Sequence, residues 1–136
     1  MKNMTATKHN NRKMNQDTYK LRREVMSHIY AAKKLCAEIN VALPRIDVRI
    51  TDVKEGCERV LGTARLNDNI VWIPASTVAR DDLRQVVFHE ILHACYGVEH
   101  DKHCPLMSPC IKKLADFLPT SPEKVFLQYV KRNNKR

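Results

Sequence analysis

The segment HEILH at residues 89–93 constrains the fold of this chain more than any other feature. Its two histidines are four residues apart, just over one turn of an α-helix, so a helix places both imidazoles on one face. Glu90 is then carried beside them. Asp81 and Asp82 precede the segment, where a helix dipole favours negative charge, and Gly97 follows it, where glycine ends helices. The sequence therefore predicts a helix over residues 81–96.

Apolar periodicity predicts the elements that precede this helix. From Asp17 or Thr18, either of which can cap a helix, apolar side chains recur at helical spacing as far as residue 40. In residues 45–51, RIDVRIT, apolar and polar side chains alternate, which is typical of a half-buried strand. An N-terminal helix followed by a strand is thus predicted.

Turn-forming residues divide the rest of the chain. VLGTARL and NIVWIPA flank the polar stretch Asn67–Asn69, and this pattern predicts a β-hairpin. CIKKLADFL, residues 110–118, predicts a short helical stretch. A last helix is expected from a cap at Thr120 or Ser121. Together these elements predict an α/β fold with a small mixed sheet of three or four strands.

Length and composition limit how the chain is organised. The 136 residues suffice for one hydrophobic core. Residues 1–16 are polar and basic without apolar periodicity, so we expect a flexible lead-in followed by a single domain over residues 17–136. No stretch is apolar enough to span a membrane. The lack of a signal peptide and the five scattered cysteines favour an intracellular, cytoplasmic protein.

The residue types on the predicted helix point to metal chemistry. Neutral imidazoles hold zinc, and a zinc ion with an open position lowers the pKa of its water to about 7. A carboxylate beside the ion, here Glu90, can take that proton and later deliver it to a leaving amine. The pattern therefore predicts a zinc-dependent endopeptidase. The plainer reading is an amphipathic helix whose exposed face happens to carry two histidines and a glutamate.

A catalytic zinc site also needs a third protein ligand. Gly97 can adopt the backbone angles that reverse the chain after the helix and return a ligand to the metal. The ligand-type residues that follow are Glu99, His100, Asp101, His103 and Cys104.

Over residues 60–131 the chain resembles the metzincin clan of zinc peptidases, whose signature is H-E-x-x-H-x-x-G-x-x-H followed by a loop with a Met-turn methionine. The clan's substrate-lining edge strand and the strand after it resemble GTARLNDNIVWIP, and its active-site helix resembles LRQVVFHEILHACYG. Its Met-turn resembles CPLMSP, and the final helix of matrixin-type members resembles PTSPEKVFLQYVK. The resemblance implies a zincin-like α+β fold. It also implies one zinc ion held by His89 and His93, with Glu90 as general base and Met107 beneath the metal.

The spacing departs from the clan's pattern by one residue. The clan's glycine and third ligand would fall at Tyr96 and Glu99, whereas Gly97 and His100 each come one residue later. Because the interval from glycine to histidine is kept, we predict one extra residue at the helix end and His100 as third ligand. Glu99 is the next candidate and His103 the one after it.

The resemblance also suggests how a protein or peptide substrate binds. An extended peptide can pair with the backbone of an exposed edge strand and present its scissile carbonyl to the metal. The residues expected to line this path are Gly62, Thr63, Ala64, Arg65 and Leu66.

Further residues surround the predicted Met-turn. Asp101, directly after His100, can hydrogen-bond a ligand imidazole. Cys104 and Cys110 bracket the turn, and with His103 they offer a structural zinc site or, alone, a disulfide. Free or buried thiols are the interpretation we favour.

The net charge of +9 lies mostly at the two ends. Residues 1–35 carry nine Lys and Arg against two acids, and residues 131–136 carry four against none. Solvated basic ends are the plainer interpretation, and weak binding of nucleic acid or an acidic partner, as in a DNA-associated protease, is the alternative. A second alternative is a non-catalytic, zinc-stabilised binding or structural module in which protein groups fill every position of the metal.

Overall fold

The computed structural model describes residues 2–51, 61–109 and 112–134, with side chains from Thr18 onward. Its elements in chain order are α1 (Lys2–Glu38), β1 (Asp47–Thr51), β2 (Thr63–Ala64), β3 (Ile70–Pro74), α2 (Ala75–Val78), α3 (Leu83–Tyr96), a 3-10 turn (Leu114–Phe117) and α4 (Pro122–Asn133). Four helices and a three-stranded mixed sheet in the described part confirm the predicted α/β class. None of the described helices is long and apolar enough to span a bilayer.

The sheet has the order β1-β3-β2, with β3 in the centre. β1 runs parallel to β3, with Val48 opposite Val71, and β2 runs antiparallel to β3, with Thr63 opposite Trp72. The predicted hairpin is therefore present, and β2 lies at an edge of the sheet. Within the described residues β2 is only two residues long, shorter than the strand VLGTARL predicted for residues 60–66, of which Val60 lies outside the described part.

Helix α1 begins at Lys2 and not at Asp17, where the cap was predicted. The stretch between them contains neither proline nor glycine, so nothing in it breaks a helix that has formed further along the chain. The flexibility expected of residues 1–16, and the domain boundary after them, stay predictions. The inner face of α1 packs on the core through Val25, Ile29, Ala32 and Cys36.

Helix α3 is the centre of the core. Its buried residues run from Leu83 to Ala94 with the single exception of Arg84, and it packs against α1 and α4. Phe88 stacks on Phe126 of α4 with ring centroids 4.6 Å apart. A helix surrounded in this way is held by packing on all sides, so the polar residues that it carries are held in place too.

The beginning of α4 follows the prediction. Ser121 caps it, its Oγ accepting a hydrogen bond from the Lys124 backbone N–H at 3.2 Å, and Pro122 occupies the first turn. The predicted helical stretch before it shrinks to the 3-10 turn Leu114–Phe117, while Cys110 and Ile111 lie outside the described residues.

Arg84 connects α1 and α4 across the start of α3. Its Nε donates to Nδ1 of His28 at 3.1 Å, and its Nη1 pairs with Oε2 of Glu123 at 3.3 Å. Burial, together with the Arg84 charge, lowers the pKa of His28. A neutral His28 keeps the lone pair that accepts this hydrogen bond, so the three helices are tied together at neutral pH.

Candidate metal centre

Three imidazoles converge at the carboxyl-terminal half of α3. The Nε2 atom of His89 lies 3.0 Å from Nε2 of His93 and 3.2 Å from Nε2 of His100. The ligand atoms of the three histidines all lie within 4.8 Å of one another. Nitrogens bound tetrahedrally to one zinc ion at its usual bond length lie about 3.3 Å apart. The three histidines can therefore hold a metal ion.

Backbone carbonyls orient two of the three rings. Nδ1 of His89 is 2.7 Å from the carbonyl oxygen of Leu106, and Nδ1 of His93 is 2.5 Å from that of Val98. Because a carbonyl can only accept, each Nδ1 carries the proton and each Nε2 keeps its lone pair directed at the common centre. This tautomer is the one that metal ligation through Nε2 requires.

Burial keeps these rings neutral. His89 and Glu90 are each 4% exposed and His93 is 8% exposed, whereas the plainer reading of the sequence placed all three on an exposed face of the helix. Burial lowers the pKa of His89 to about 4 and lowers that of His93 as well. Neutral imidazoles at pH 7 are the form that binds metal.

The end of α3 brings His100 into the cluster. Gly97 has φ +63° in the left-handed region, and its N–H donates to the His93 carbonyl at 3.2 Å. This 5→1 bond is that of an αL helix ending, and the N–H of Val98 also donates back to the helix, to the Leu92 carbonyl at 3.0 Å. The helix thus includes the extra residue, Tyr96, before the chain reverses. Of the candidate third ligands, the structure groups His100 with the first two and leaves out Glu99 and His103, both exposed.

In the loop over residues 101–108, the carboxylate of Asp101 bonds to the loop backbone and to α4 rather than to the histidines. Asp101 accepts hydrogen bonds from the His103 backbone N–H at 3.0 Å and from the Tyr129 hydroxyl at 3.4 Å. The role predicted for Asp101 is therefore corrected: in the described structure its carboxylate fixes the loop, and backbone carbonyls hold the rings of His89 and His93. Short polar turns favour such local acceptors, because the backbone N–H groups of the turn are close at hand.

The predicted Met-turn is a buried part of this loop. Met107 is fully buried, and its carbonyl accepts the N–H of Asp101 at 2.8 Å. Its neighbour Leu106 supplies the carbonyl that orients His89. Cys104 is a free, half-buried thiol outside the histidine cluster, and Cys110 lies outside the described residues. The place of Met107 beneath a bound ion stays a prediction.

Glu90 lies between the histidines and the edge of the sheet. Burial raises the pKa of its carboxyl to about 8. A Cβ atom built on Gly62 would lie 2.9 Å from Oε2 of Glu90, 3.1 Å from its Cγ and 3.2 Å from Cδ1 of Ile73. The backbone just before β2 therefore runs directly against the carboxyl group. The sequence indicated Gly62 as substrate-lining backbone but gave no sign of this contact.

The remaining residues predicted to line the substrate path lie along the same edge. Thr63 and Ala64 form β2, and Arg65 and Leu66 follow it, both exposed. A cleft of about 340 Å³ opens beside them. Its walls are Thr51, Thr63, Ala64, Arg65 and Trp72.

Replacing Gly62 by alanine is expected to destabilise the protein. The added Cβ meets Glu90 and Ile73 closer than ordinary packing allows, and overpacking of this kind costs about 1–3 kcal/mol. Removing a glycine also restricts the unfolded chain, which offsets about 0.4–1 kcal/mol of that cost. The free energy of unfolding, measured by denaturant titration of the Gly62→Ala variant, tests this.

The matched control is the same substitution in a Glu90→Ala background. There the two closest contacts are gone and only the 3.2 Å approach to Ile73 remains, so Gly62→Ala should be close to neutral. An equal loss of stability in both backgrounds would show that the glycine is required for another reason.

The hairpin turn is fastened to the end of α3, a connection that the sequence pattern did not indicate. The N–H of Asn67 donates to the His93 carbonyl and the N–H of Asn69 to the Ala94 carbonyl, each at 3.1 Å. Both asparagines are left-handed, with φ of 61° and 58°, a conformation that asparagine tolerates better than most residues. The edge strand is thus fixed to the metal-binding helix at this turn as well as at Gly62.

No model of a known protein family matches the chain, and a search of curated proteins finds no match.

Proposed function

We propose that this protein is a zinc-dependent endopeptidase. The observation that carries the proposal is the convergence of three imidazoles, whose ligand atoms lie within 4.8 Å of one another. A buried carboxyl group is next to the first of them, and the edge of the sheet lies against that carboxyl. Three histidines with nitrogen donors form a ligand set typical of catalytic zinc. Imidazoles also suit copper, nickel and iron, but among the described residues the cluster contains neither the thiolate of a blue-copper site nor the carboxylate of a non-haem iron site. We therefore choose zinc.

The number of ligands supports a catalytic rather than a structural site. Among the described residues the cluster contains three donors, whereas a structural zinc site closes with four protein ligands. A fourth position is therefore available to water or substrate. This is our reason for preferring the peptidase over the non-catalytic module.

The proposed hydrolysis needs a bound zinc ion and the carboxyl group of Glu90, each with its own role. When bound, zinc lowers the pKa of its water and polarises the scissile carbonyl. Burial favours the protonated form of Glu90 in the metal-free protein, whereas the charge of a bound cation would favour the ionised form. As a carboxylate, Glu90 would take up the proton of the attacking water and pass it to the leaving amine nitrogen. Packing against Gly62 holds that carboxylate in one orientation, which a proton transfer over hydrogen-bond distance requires.

The edge strand supplies the binding surface. Within the described parts of the chain, β3 is the one strand that pairs with β2, so the other edge of β2 can take an extended peptide by strand addition. The backbone before β2 touches Glu90, so a peptide paired there passes next to the general base.

Zinc-dependent cleavage tests the proposal. Protein stripped of metal with a chelator and then supplied with one equivalent of zinc is incubated with a library of extended peptides blocked at both ends, and mass spectrometry identifies the fragments. Cleavage at internal bonds that requires zinc supports an endopeptidase. A zinc-loaded, folded protein that cleaves no member of the library would favour the non-catalytic module.

The DNA-associated alternative was predicted from the basic ends of the chain. Residues 1, 135 and 136, and the side chains of residues 2–17, lie outside what the structure describes. The peptidase proposal uses no residue of either end.

A further inference from the structure

One outward face of α1 carries aromatic rings and cations in a regular order. Tyr19, Arg23, Met26, Tyr30 and Lys33 follow one another at intervals of four, three, four and three residues. These intervals keep side chains on a single face of a helix. We call these five residues the cation–aromatic stripe.

The two tyrosines of the stripe are open to solvent. Tyr19 is 59% exposed and Tyr30 is 65% exposed. The guanidinium carbon of Arg23 lies 5.9 Å from the centre of the Tyr19 ring, and Nζ of Lys33 lies 5.9 Å from that of Tyr30. Each ring is thus paired with a cation at cation–π distance while most of its surface stays free.

Acidic residues are kept off this face. The stretch over residues 18–38 contains five cations and two acids, Glu24 and Glu38. Glu24 is five residues after Tyr19 and so lies about 140° around the helix. The negative charge of Glu24 raises the pKa of His28, while burial and the charge of Arg84 lower that pKa by more. None of the five cations forms an ion pair with a described residue, so the positive charge of the face is uncompensated.

Of the stripe residues, Met26 is partly buried and packs against the core. The other four side chains are exposed and are not needed to hold the fold together. A separate face of α1, about 110° around the helix from the centre of the stripe, packs into the core through Val25, Ile29, Ala32 and Cys36. A helix that lies on a membrane inserts its apolar face, and here that face is already buried. The stripe is therefore better suited to a partner that is both anionic and aromatic.

We propose that the cation–aromatic stripe binds single-stranded nucleic acid. Proteins that bind single strands without sequence preference combine cations that follow the phosphates with aromatic rings on which bases stack. Tyr19 and Tyr30 are separated by about 16 Å along the helix, so bases several nucleotides apart can stack on them. Arg22 and Lys34 are exposed next to the stripe and extend the cationic surface on either side. The proposal rests on α1 alone and is independent of the peptidase activity.

Fluorescence anisotropy of a labelled thirty-nucleotide deoxythymidine strand tests the proposal on the full chain. At physiological salt we expect a Kd of about 1–100 μM, with tighter binding at low salt. Tyr19→Ala/Tyr30→Ala is expected to weaken binding by at least about 25-fold without altering its salt dependence, since each stacked base contributes fivefold or more. Arg23→Ala/Lys33→Ala should reduce the slope of log K against log salt by about 1.4, because each phosphate contact contributes about 0.7.

The matched control is Lys112→Ala/Lys124→Ala, which removes the same charge from exposed positions outside α1. It should shift the Kd by less than the stripe variants do, with circular dichroism confirming that every variant is folded. Equal effects of the control and the tyrosine variant would overturn the proposal, as would the absence of binding at low salt. Competition by polyglutamate as strong as by unlabelled strand, or binding to phosphatidylglycerol vesicles in place of the strand, would overturn it in favour of an acidic protein or a membrane.

Discussion

Replacing Glu90 by glutamine is expected to lower kcat for peptide hydrolysis by about 10²–10⁴-fold, the range that general acid–base catalysis contributes. Glutamine has the same shape, so the contact with Gly62 and the burial of the side chain are kept. It cannot accept the proton of water. The expected result is therefore a folded protein with full zinc content, an unchanged KM and almost no turnover.

Glu99→Gln is the matched control for this substitution. Glu99 is exposed and lies outside the histidine cluster, so this variant should keep kcat within about twofold of the parent. Zinc is quantified by elemental analysis and kcat by fragment formation on a peptide that the parent cleaves. If the Glu90→Gln variant retained activity, Glu90 would not be the general base. If the variant lost its zinc, the change in kcat would say nothing about proton transfer, and the assigned ligand set would be wrong.

The same variant has a second expected consequence in metal-free protein. Burial raises the pKa of Glu90 from 4.5 to about 8, so between these values the unfolded chain is ionised while the folded chain stays protonated. The folded state then binds more protons, and its stability falls as the pH rises through this range. Glutamine does not titrate. We therefore expect Glu90→Gln to unfold at higher denaturant concentration than the parent at about pH 8 and to differ little at about pH 4.5, both measured in chelator.

The helices and strands could be predicted because the capping residues, turn residues and apolar spacing of each segment favour the same structure that the segment adopts in the fold. The alternation in residues 45–51, the turn at Asn67–Asn69 and the cap at Ser121 each correspond to an observed element. The start of α1 was predicted wrongly, because cap residues such as Asp17 also occur inside helices when the stretch before them contains no helix breaker. A candidate cap indicates where a helix can begin without requiring that it begin there.

Of the candidate site, the sequence could predict the residues whose side chains have a recognisable chemistry and spacing. His89, Glu90 and His93 were recognisable from spacing, and His100 from the interval that separates it from Gly97. The groups that orient the rings are backbone carbonyls of Leu106 and Val98, which any residue can supply, so no sequence pattern marks them.

The contacts that join the edge hairpin to α3 were hidden for a related reason. Backbone N–H groups of the turn make some of these contacts. The others exist because Gly62 has no side chain, which lets its backbone approach Glu90 closely. Such contacts become visible only when two distant segments are brought together in the fold.

Replacing His100 by alanine is expected to weaken zinc binding by well over 100-fold, since losing even an outer partner of a zinc ligand costs 10–100-fold. His100 is exposed, unlike His89 and His93, so the core is intact in the variant and the metal-free stability should not change. Zinc at 1,000 times the parent's Kd stabilises the parent by about 4 kcal/mol, and a 100-fold weaker site keeps only about 1.4 kcal/mol of this. Competition with a chromophoric chelator gives the affinity, and denaturant titration with and without zinc gives the stabilisation.

His103→Ala is the control that makes the His100 result specific. His103 is also exposed and lies three residues further along the same loop, yet the histidine cluster does not include it. A general effect of removing an imidazole from the loop would weaken zinc binding in both variants, whereas a ligand role for His100 alone leaves His103→Ala at the parent's affinity. If His100→Ala bound zinc as tightly as the parent while His103→Ala or Glu99→Gln did not, the loop would have to close differently around the ion. The reversal at Gly97 that brings His100 to the other two histidines would then not describe the metal-bound protein.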